Sequence, residues 1–253
     1  MDRTILHCDC NSFFASVETL LDPSLADGPT AVCGDPESRH GIILAKHAKA
    51  KAFGVQTAET IWQAKRKCPD LRLVAPHRSE YVKFSRKCNE LYLQYTDLVD
   101  PFGIDESFLD VPGSMHLFGS GEHIADELRR RMREEVGLTI SVGVSFNRAF
   151  AKLGSDYKKP DGTTIFSREN FKQRVWTLPA NTLLYVGKRA SDRLNRLGVR
   201  TIGELAACDP AFIHSILGKT GDLLLRFARG EDDEPVRSFY TYRTVKTVGT
   251  RRQ

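Results

Sequence analysis

The sequence predicts an α+β fold: an open mixed sheet backed by helices, a small inserted unit and a helical C-terminal third. Three observations predict it. Short apolar runs with strand composition recur along residues 1–167, amphipathic helical stretches lie between them, and from about residue 168 short helices are joined by glycine turns.

Taken in order, the strands are expected at 4–8, LRLVA at 71–75, two within LVDPFGIDESFLDV at 98–111, LTISVGVS at 138–145 and GTTIF at 162–166. The stretch 78–96 puts Tyr81, Phe84, Cys88, Leu91 and Tyr95 on one helical face. Residues 122–136 do the same with Ile124, Leu128, Met132 and Val136, and leave Arg129, Arg130, Arg131 and Arg133 on the other face. Stripes of this kind pack a core. Residues 12–76 interrupt the sheet after its first strand, with short helical pieces such as AKHAKAKAFGV broken by DGPT and GDPESRHG, and are expected to form an inserted small domain. LLYVGKRASDRLNRLGVRTIGELAACDP and ILGKTGDLLLRFARG have the pattern of two helix-hairpin-helix units in tandem.

With 253 residues and 41% hydrophobic composition, two or three compact units are expected. No run of about 18 apolar residues is present for a membrane span, and Met1-Asp2-Arg3 leads into a polar-punctuated strand where a signal peptide would be apolar. The expected location is cytoplasmic, with no membrane partner. The six cysteines include no CxxC pair and are expected to be reduced and mostly buried. The net charge of +5 is uneven: residues 168–253 hold 16 Lys and Arg against 9 Asp and Glu, so this third is the part suited to a polyanion.

Chemistry is concentrated in three stretches. In ILHCDCNSFFASVE, Asp9 closes an apolar run and precedes Asn11 and Ser12, good helix N-cap types, then Phe13, Phe14, Val17, Leu20 and Leu21 at helical spacing. An acid at such a strand-to-helix turn is either a turn residue or a ligand. In GIDESFLDV, Asp105 and Glu106 interrupt an apolar strand, and two adjacent buried acids repel unless a cation compensates them. Neighbouring strand residues face opposite sides, so the two share a metal only at a bend, for which Pro101-Phe102-Gly103 supplies the turn. An all-oxygen set with Asp9 suits Mg²⁺ or Mn²⁺. In GVSFNRAFAKLGSDYKKPDG, a strand feeds a helix carrying Arg148 and Lys152 and a loop carrying Lys158 and Lys159, and the lysines stand where ammonium groups reach a triphosphate.

The three stretches, in this order and at these separations, resemble the Y-family translesion DNA polymerases, in the branch of bacterial DNA polymerase IV and the polymerase V catalytic subunit. The resemblance covers essentially the whole chain. It implies a ferredoxin-like palm over 1–10 and 78–167, fingers over 11–77, a helix-hairpin-helix thumb over 168–236, and 237–253 as a linker toward a little-finger domain that does not follow Gln253. It further implies DNA polymerisation by two-metal phosphoryl transfer with two Mg²⁺ ions, for which Mn²⁺ substitutes, held by Asp9, Asp105, Glu106 and the carbonyl of Cys10. Asp9, Asp105 and Glu106 become the catalytic acids. Phe14 matches the steric gate against ribonucleotides; Lys159 matches the triphosphate lysine, with Phe13 and Tyr81 beside the same nucleotide. Gly187, Lys188 and Gly221 fall at hairpins that grip DNA phosphates. Primer-template DNA, deoxynucleoside triphosphates and a sliding clamp are the implied partners.

The chain departs from the family pattern at Asn11, where the second Asp of a D-x-D signature stands, and at Ala48 and Lys51, where a Tyr and an Arg contact the triphosphate. Lys51 keeps the charge of that pair. Leu184-Tyr185-Val186-Gly187 replaces Pro-Gly-Val-Gly at the first hairpin. Two other readings start from the same residues: a catalytically silent DNA-binding relative, and a nucleotidyl cyclase, in which the basic hairpin-rich third has no role.

Overall fold

A computed structural model describes residues 3–37 and 41–241. Its first strand, β1 (Ile5–Cys10), is fully buried and lies at the centre of a five-stranded sheet. Next come α1 (Phe13–Leu21), β2 (Thr30–Cys33), β3 (Ile43–Lys46), α2 (Ala48–Ala52), α3 (Ile61–Lys67), β4 (Arg72–Val74) and α4 (Arg78–Tyr92). They are followed by β5 (Val99–Pro101), β6 (Glu106–Asp110), α5 (Met115–Phe118), α6 (Gly121–Arg131), β7 (Ile140–Ser145), α7 (Arg148–Tyr157) and β8 (Thr163–Phe166). The remaining helices are α8 (Phe171–Arg174), α9 (Lys188–Arg196), α10 (Ile202–Ala207), α11 (Pro210–Leu217) and α12 (Lys219–Ala228).

The large sheet has the order β5-β6-β1-β7-β8, antiparallel except between β7 and β8. The period of two sorts β1 into two faces. Leu6, Cys8 and Cys10 enter a core with Tyr81, Cys88 and Leu91 of α4 and Ile124 and Leu128 of α6. Each of these fully buried large side chains contributes about 1.5–3 kcal/mol. The other face of β1 carries Ile5, His7 and Asp9, and Ile5 packs with Phe108 and Ala151 under α7. The sequence accounts for the two helices on the first face; α7 on the second is what puts charged side chains above Asp9.

That close approach depends on glycine. A Cβ on Gly143 of β7 would stand 1.9 Å from the carbonyl oxygen of Ala151 and 2.5 Å from the nitrogen of Ser155, so the backbone of α7 lies directly on the strand. Arg148, at the start of the same helix, is buried: it pairs with Asp100 at 2.8 Å, donates to the Pro235 carbonyl at 2.9 Å and lies over the Phe108 ring.

The inserted segment has the expected short helical pieces, α2 within AKHAKAKAFGV among them, and adds a sheet to them. It builds its own sheet, in the order β3-β2-β4, over a core of Ala31, Cys33, Ile43, Val55, Ile61 and Leu71. TAVC and ILAK are only four residues long and show no alternation, because both faces are mostly covered. LRLVA therefore pairs in parallel with β2 and lies outside the large sheet. α1 packs Phe13 and Val17 into the core of the large sheet.

Two helices also end earlier than their apolar stripes. α4 stops at Tyr92, and α6 passes at Met132 into a π turn closed by Gly137 with φ 81°. In the C-terminal third, a third core gathers Leu194, Ile202, Leu205, Ile213, Leu224 and Phe227. Tyr185 adopts φ 68°, the left-handed conformation the absent hairpin glycine would take, at a cost of about 1 kcal/mol. Gly221 is not at a turn. It lies buried in the first turn of α12, where a Cβ would meet the Ile213 carbonyl at 2.7 Å; the turn residue is Gly218, φ 60°. The chain then returns to the start of α7, where the Asp232 carboxylate accepts from the Ala149 N–H at 3.0 Å. Of the expected linker 237–253, residues 242–253 lie outside the described residues. All six cysteines are free, five of them buried, and among the described residues no helix is long and apolar enough to cross a membrane.

Candidate active site

Strand register brings the first acids together. Asp9 pairs with Glu106 across β1 and β6, at the ends of both strands. Asp105 sits in the turn just before β6, and its carbonyl accepts from the Cys10 N–H at 2.9 Å, so the bend that the adjacent acids require is present. The Cys10 thiol turns away into the core, 3.9 Å from Cys88 Sγ.

Like charges opposite one another in a sheet destabilise it unless compensated. α7 and the loop after it supply the compensation. Lys152 Nζ lies 2.9 Å from Asp9 Oδ2 and 2.6 Å from Glu106 Oε2; Lys159 Nζ lies 2.9 Å from Asp9 Oδ1 and 2.7 Å from Asp156 Oδ1. Burial alone would raise Glu106, but His7 and Lys152 outweigh it and hold the carboxyl at about 2. Asp105 has no such partner: burial, Asp9 and Glu106 push it up to about 6. Burial would lower Lys152 and Lys159, and the carboxylates around them reverse that and raise both. His7, fully buried beneath the acids, is lowered by burial against the pull of Glu106.

The Asp105 shift has a measurable consequence. Its folded-state pKa exceeds the unfolded value, so between about pH 4 and 6 the folded protein holds a proton that the unfolded chain has released, and stability falls as pH rises through that window. Asp105→Asn is expected to stabilise the metal-free protein by about 1–2 kcal/mol at pH 7.5, with the gain disappearing toward pH 4. Urea unfolding at both pH values checks this; an equal change at both overturns it.

A cleft of about 540 Å³ opens between the acids and the inserted sheet. Among the residues expected there, it gathers Asp9, Cys10, Phe13, Phe14, Lys51, Asp105, Glu106 and Lys159. Tyr81 does not line it. That ring is buried, stacks on Phe14 with centroids 4.2 Å apart, and gives its hydroxyl to Glu18, so it forms the wall behind Phe14. Gly187, Lys188 and Gly221 lie away from the cleft. Gly187 caps the start of α9, and the exposed Lys188 pairs with Asp192 at 3.0 Å.

Three features were missed in the sequence. Lys46 and Thr57 line the cleft, with Lys46 Nζ donating to Thr57 Oγ1 at 3.1 Å; the unseen strand β3 hid them. Asn11 is not a helix cap. Its Nδ2 donates to Ser141 Oγ at 2.9 Å and its Oδ1 accepts from the Asp161 N–H at 2.9 Å, which ties down the loop carrying Lys159. Ser12, at φ 50°, makes no side-chain cap either, and Ser12, Phe13 and Phe14 at the start of α1 line the cleft. The third is His7, whose place two residues before Asp9 on one strand face was a readable signal. Its ring and the carboxylates of Asp9 and Glu106 offer ligand-type atoms within 4.8 Å of one another.

The arrangement can hold a hard divalent cation on carboxylate oxygens in place of ammonium charge, beside N–H donors suited to phosphate. The impB/mucB/samB family matches residues 8–156. The chain is 50% identical over 249 residues to a DNA polymerase IV of Acetivibrio thermocellus and 40% identical over 249 residues to that of Moorella thermoacetica, covering 98% of this chain in both cases. It spans about 62% of the length of these two relatives. With a DNA polymerase IV of Halorhodospira halophila it shares 40% identity over 99% of its own length and 69% of that protein's. Its fold is similar to the crystal structure of DinB from Sulfolobus solfataricus, with TM-score 0.85 and 26% identity over 93% of this chain and 69% of that one. An insertion ternary complex of Dbh DNA polymerase aligns with TM-score 0.85 and 26% identity over 92% of this chain and 69% of that one.

Proposed function

The chain belongs to the impB/mucB/samB family, and on that premise we propose that it acts as a Y-family, translesion-type DNA polymerase, adding deoxynucleotides to a primer 3′-hydroxyl under the direction of a DNA template. The observation that carries the reading is the convergence of Asp9, Asp105, Glu106 and Lys159 in one cleft roofed by the inserted sheet, with Lys152 of α7 paired to Asp9 and Glu106. In this reading the large sheet is the palm, the inserted unit the fingers and the helical third the thumb.

The donor set fits the cofactor. Asp9, Asp105, Glu106 and the Cys10 carbonyl are all oxygen donors, and two of these carboxylates already carry compensating cations. When bound, two Mg²⁺ ions, or Mn²⁺ in their place, supply charge neutralisation at the reacting phosphates and ease deprotonation of the 3′-hydroxyl. Lys159, Lys51 and Lys46 place ammonium charge along the triphosphate, and the uncapped N–H groups opening α1 donate to its oxygens. Phe13 and Phe14 form the floor under the sugar, with Tyr81 stiffening Phe14 from behind. The hairpin preceding Gly187 and Lys188, and the Gly218 turn next to Gly221, meet duplex phosphates without reading sequence. In this reading it works on DNA in the cytoplasm, as expected of a chain whose DNA polymerase IV relatives come from bacteria.

Primer extension on a defined template tests the reading. Mg²⁺-dependent addition of the complementary deoxynucleotide is expected; a folded, DNA-binding protein that adds none overturns it. Phe14 tests the pocket. If its ring excludes the 2′-hydroxyl, Phe14→Ala raises ribonucleotide relative to deoxyribonucleotide kcat/KM tenfold or more, about 1.4 kcal/mol of discrimination. An unchanged ratio with a lowered melting temperature returns Phe14 to the core.

A further inference from the structure

We infer that His7 is a positioning residue for Glu106, presenting its Nε2–H to that carboxylate through a proton arrangement set by Ser155. The inference rests on the reading of Asp9, Asp105 and Glu106 as a divalent-cation site.

His7 is fully buried on the face of β1 that carries Asp9, its ring against Phe108 with centroids 4.5 Å apart. Nδ1 lies 2.8 Å from Ser155 Oγ. Nε2 has no closed hydrogen bond; its nearest charged neighbour is Glu106 Oε2 at 3.4 Å. A buried nitrogen in that position is costly unless it is completed. An ionised carboxylate only accepts, so a lone pair on Nε2 would set two acceptors against each other. The proton therefore belongs on Nε2, and Nδ1 accepts.

Ser155 allows this. Its Oγ reaches both His7 Nδ1 and the Lys152 carbonyl, each at 2.8 Å. Turning the hydroxyl to Nδ1 leaves that carbonyl to its ordinary helical N–H. The result is a buried chain, Ser155 O–H to Nδ1 and Nε2–H to Glu106, that reaches the same Oε2 held by Lys152 at 2.6 Å. At 3.4 Å the imidazole contact is long, so a small movement of Glu106 closes it. A proton on Nε2 also bars that nitrogen from ligating a metal. His7 therefore acts through Glu106, as donors to ligating side chains commonly do, and losing such a donor typically weakens metal binding by about 10- to 100-fold.

The test is Mn²⁺ binding, read from the electron paramagnetic resonance signal of free Mn²⁺, which needs no turnover. His7→Leu is expected to weaken binding about tenfold, and His7→Gln, which restores an N–H donor, to return it to within about threefold of the parent. Ser155→Ala, whose side chain touches no acid, is expected to weaken binding by at least about threefold. Parent-like binding by a folded His7→Leu overturns the inference. If His7→Leu does not fold, Ser155→Ala decides: parent-like binding overturns the inference, weakened binding supports it. Mn²⁺ binding that survives Asp9→Asn overturns the cation-site reading and this inference with it, whereas binding sensitive to Asp9 but not to His7 or Ser155 overturns the inference alone.

Discussion

Glu106→Ala is expected to lower the rate of nucleotide addition by a factor of 10³ or more, about 4 kcal/mol of barrier, while the protein stays folded. Glu106 lies directly opposite Asp9 across the paired strands, and its removal takes away one of the three carboxylates of the proposed cation site. The fold loses little. Lys152 keeps Asp9 at 2.9 Å and Asp156 at 3.6 Å, and the repulsion between the paired acids is relieved. Single-turnover addition with saturating Mg²⁺, alongside a melting curve, separates the two effects. A rate within tenfold of the parent would remove Glu106 from the chemistry.

Gly143→Ala is expected to cost about 3 kcal/mol of stability or more, and to reduce activity even in the fraction that folds. The added methyl would meet the Ala151 carbonyl at 1.9 Å and the Ser155 nitrogen at 2.5 Å, and both are helix backbone, which cannot rotate aside. α7 must lift from β7, carrying Lys152 away from Asp9 and Glu106. Gly113→Ala is the control: nothing lies within 4 Å of its Cβ position and its φ is not in the left-handed region. Urea unfolding of the two variants gives the comparison. If Gly143→Ala is as stable as Gly113→Ala, α7 does not sit on the strand as described.

Much of the large sheet was legible because its signals are local. Strand runs, the apolar faces of the two backing helices and the Pro101-Phe102-Gly103 turn before Asp105 all follow from period and turn chemistry. The three acids stood out because an ionisable residue inside an apolar strand is expensive. The inserted sheet was less legible. TAVC and ILAK are too short and too evenly buried to alternate, so Lys46 and Thr57 had no expected place. Gly221 was misplaced for a different reason: a glycine used for close packing of α11 on α12 looks, in sequence, like one used for a turn.

By itself, the sequence determined most of the residues that carry charge into the site: Asp9, Asp105, Glu106, Lys152 and Lys159 were visible as types in a pattern, while Lys46 was not. Tertiary structure decided how they are shared. Whether Lys152 bridges two acids, whether Arg148 is buried against Asp100, and whether His7 faces Glu106 depends on strand register and on how closely α7 approaches β7. Those are contacts between residues about 50 to 150 positions apart, and their energies come from burial and distance. Neither quantity exists until the chain has packed, so no local pattern encodes them.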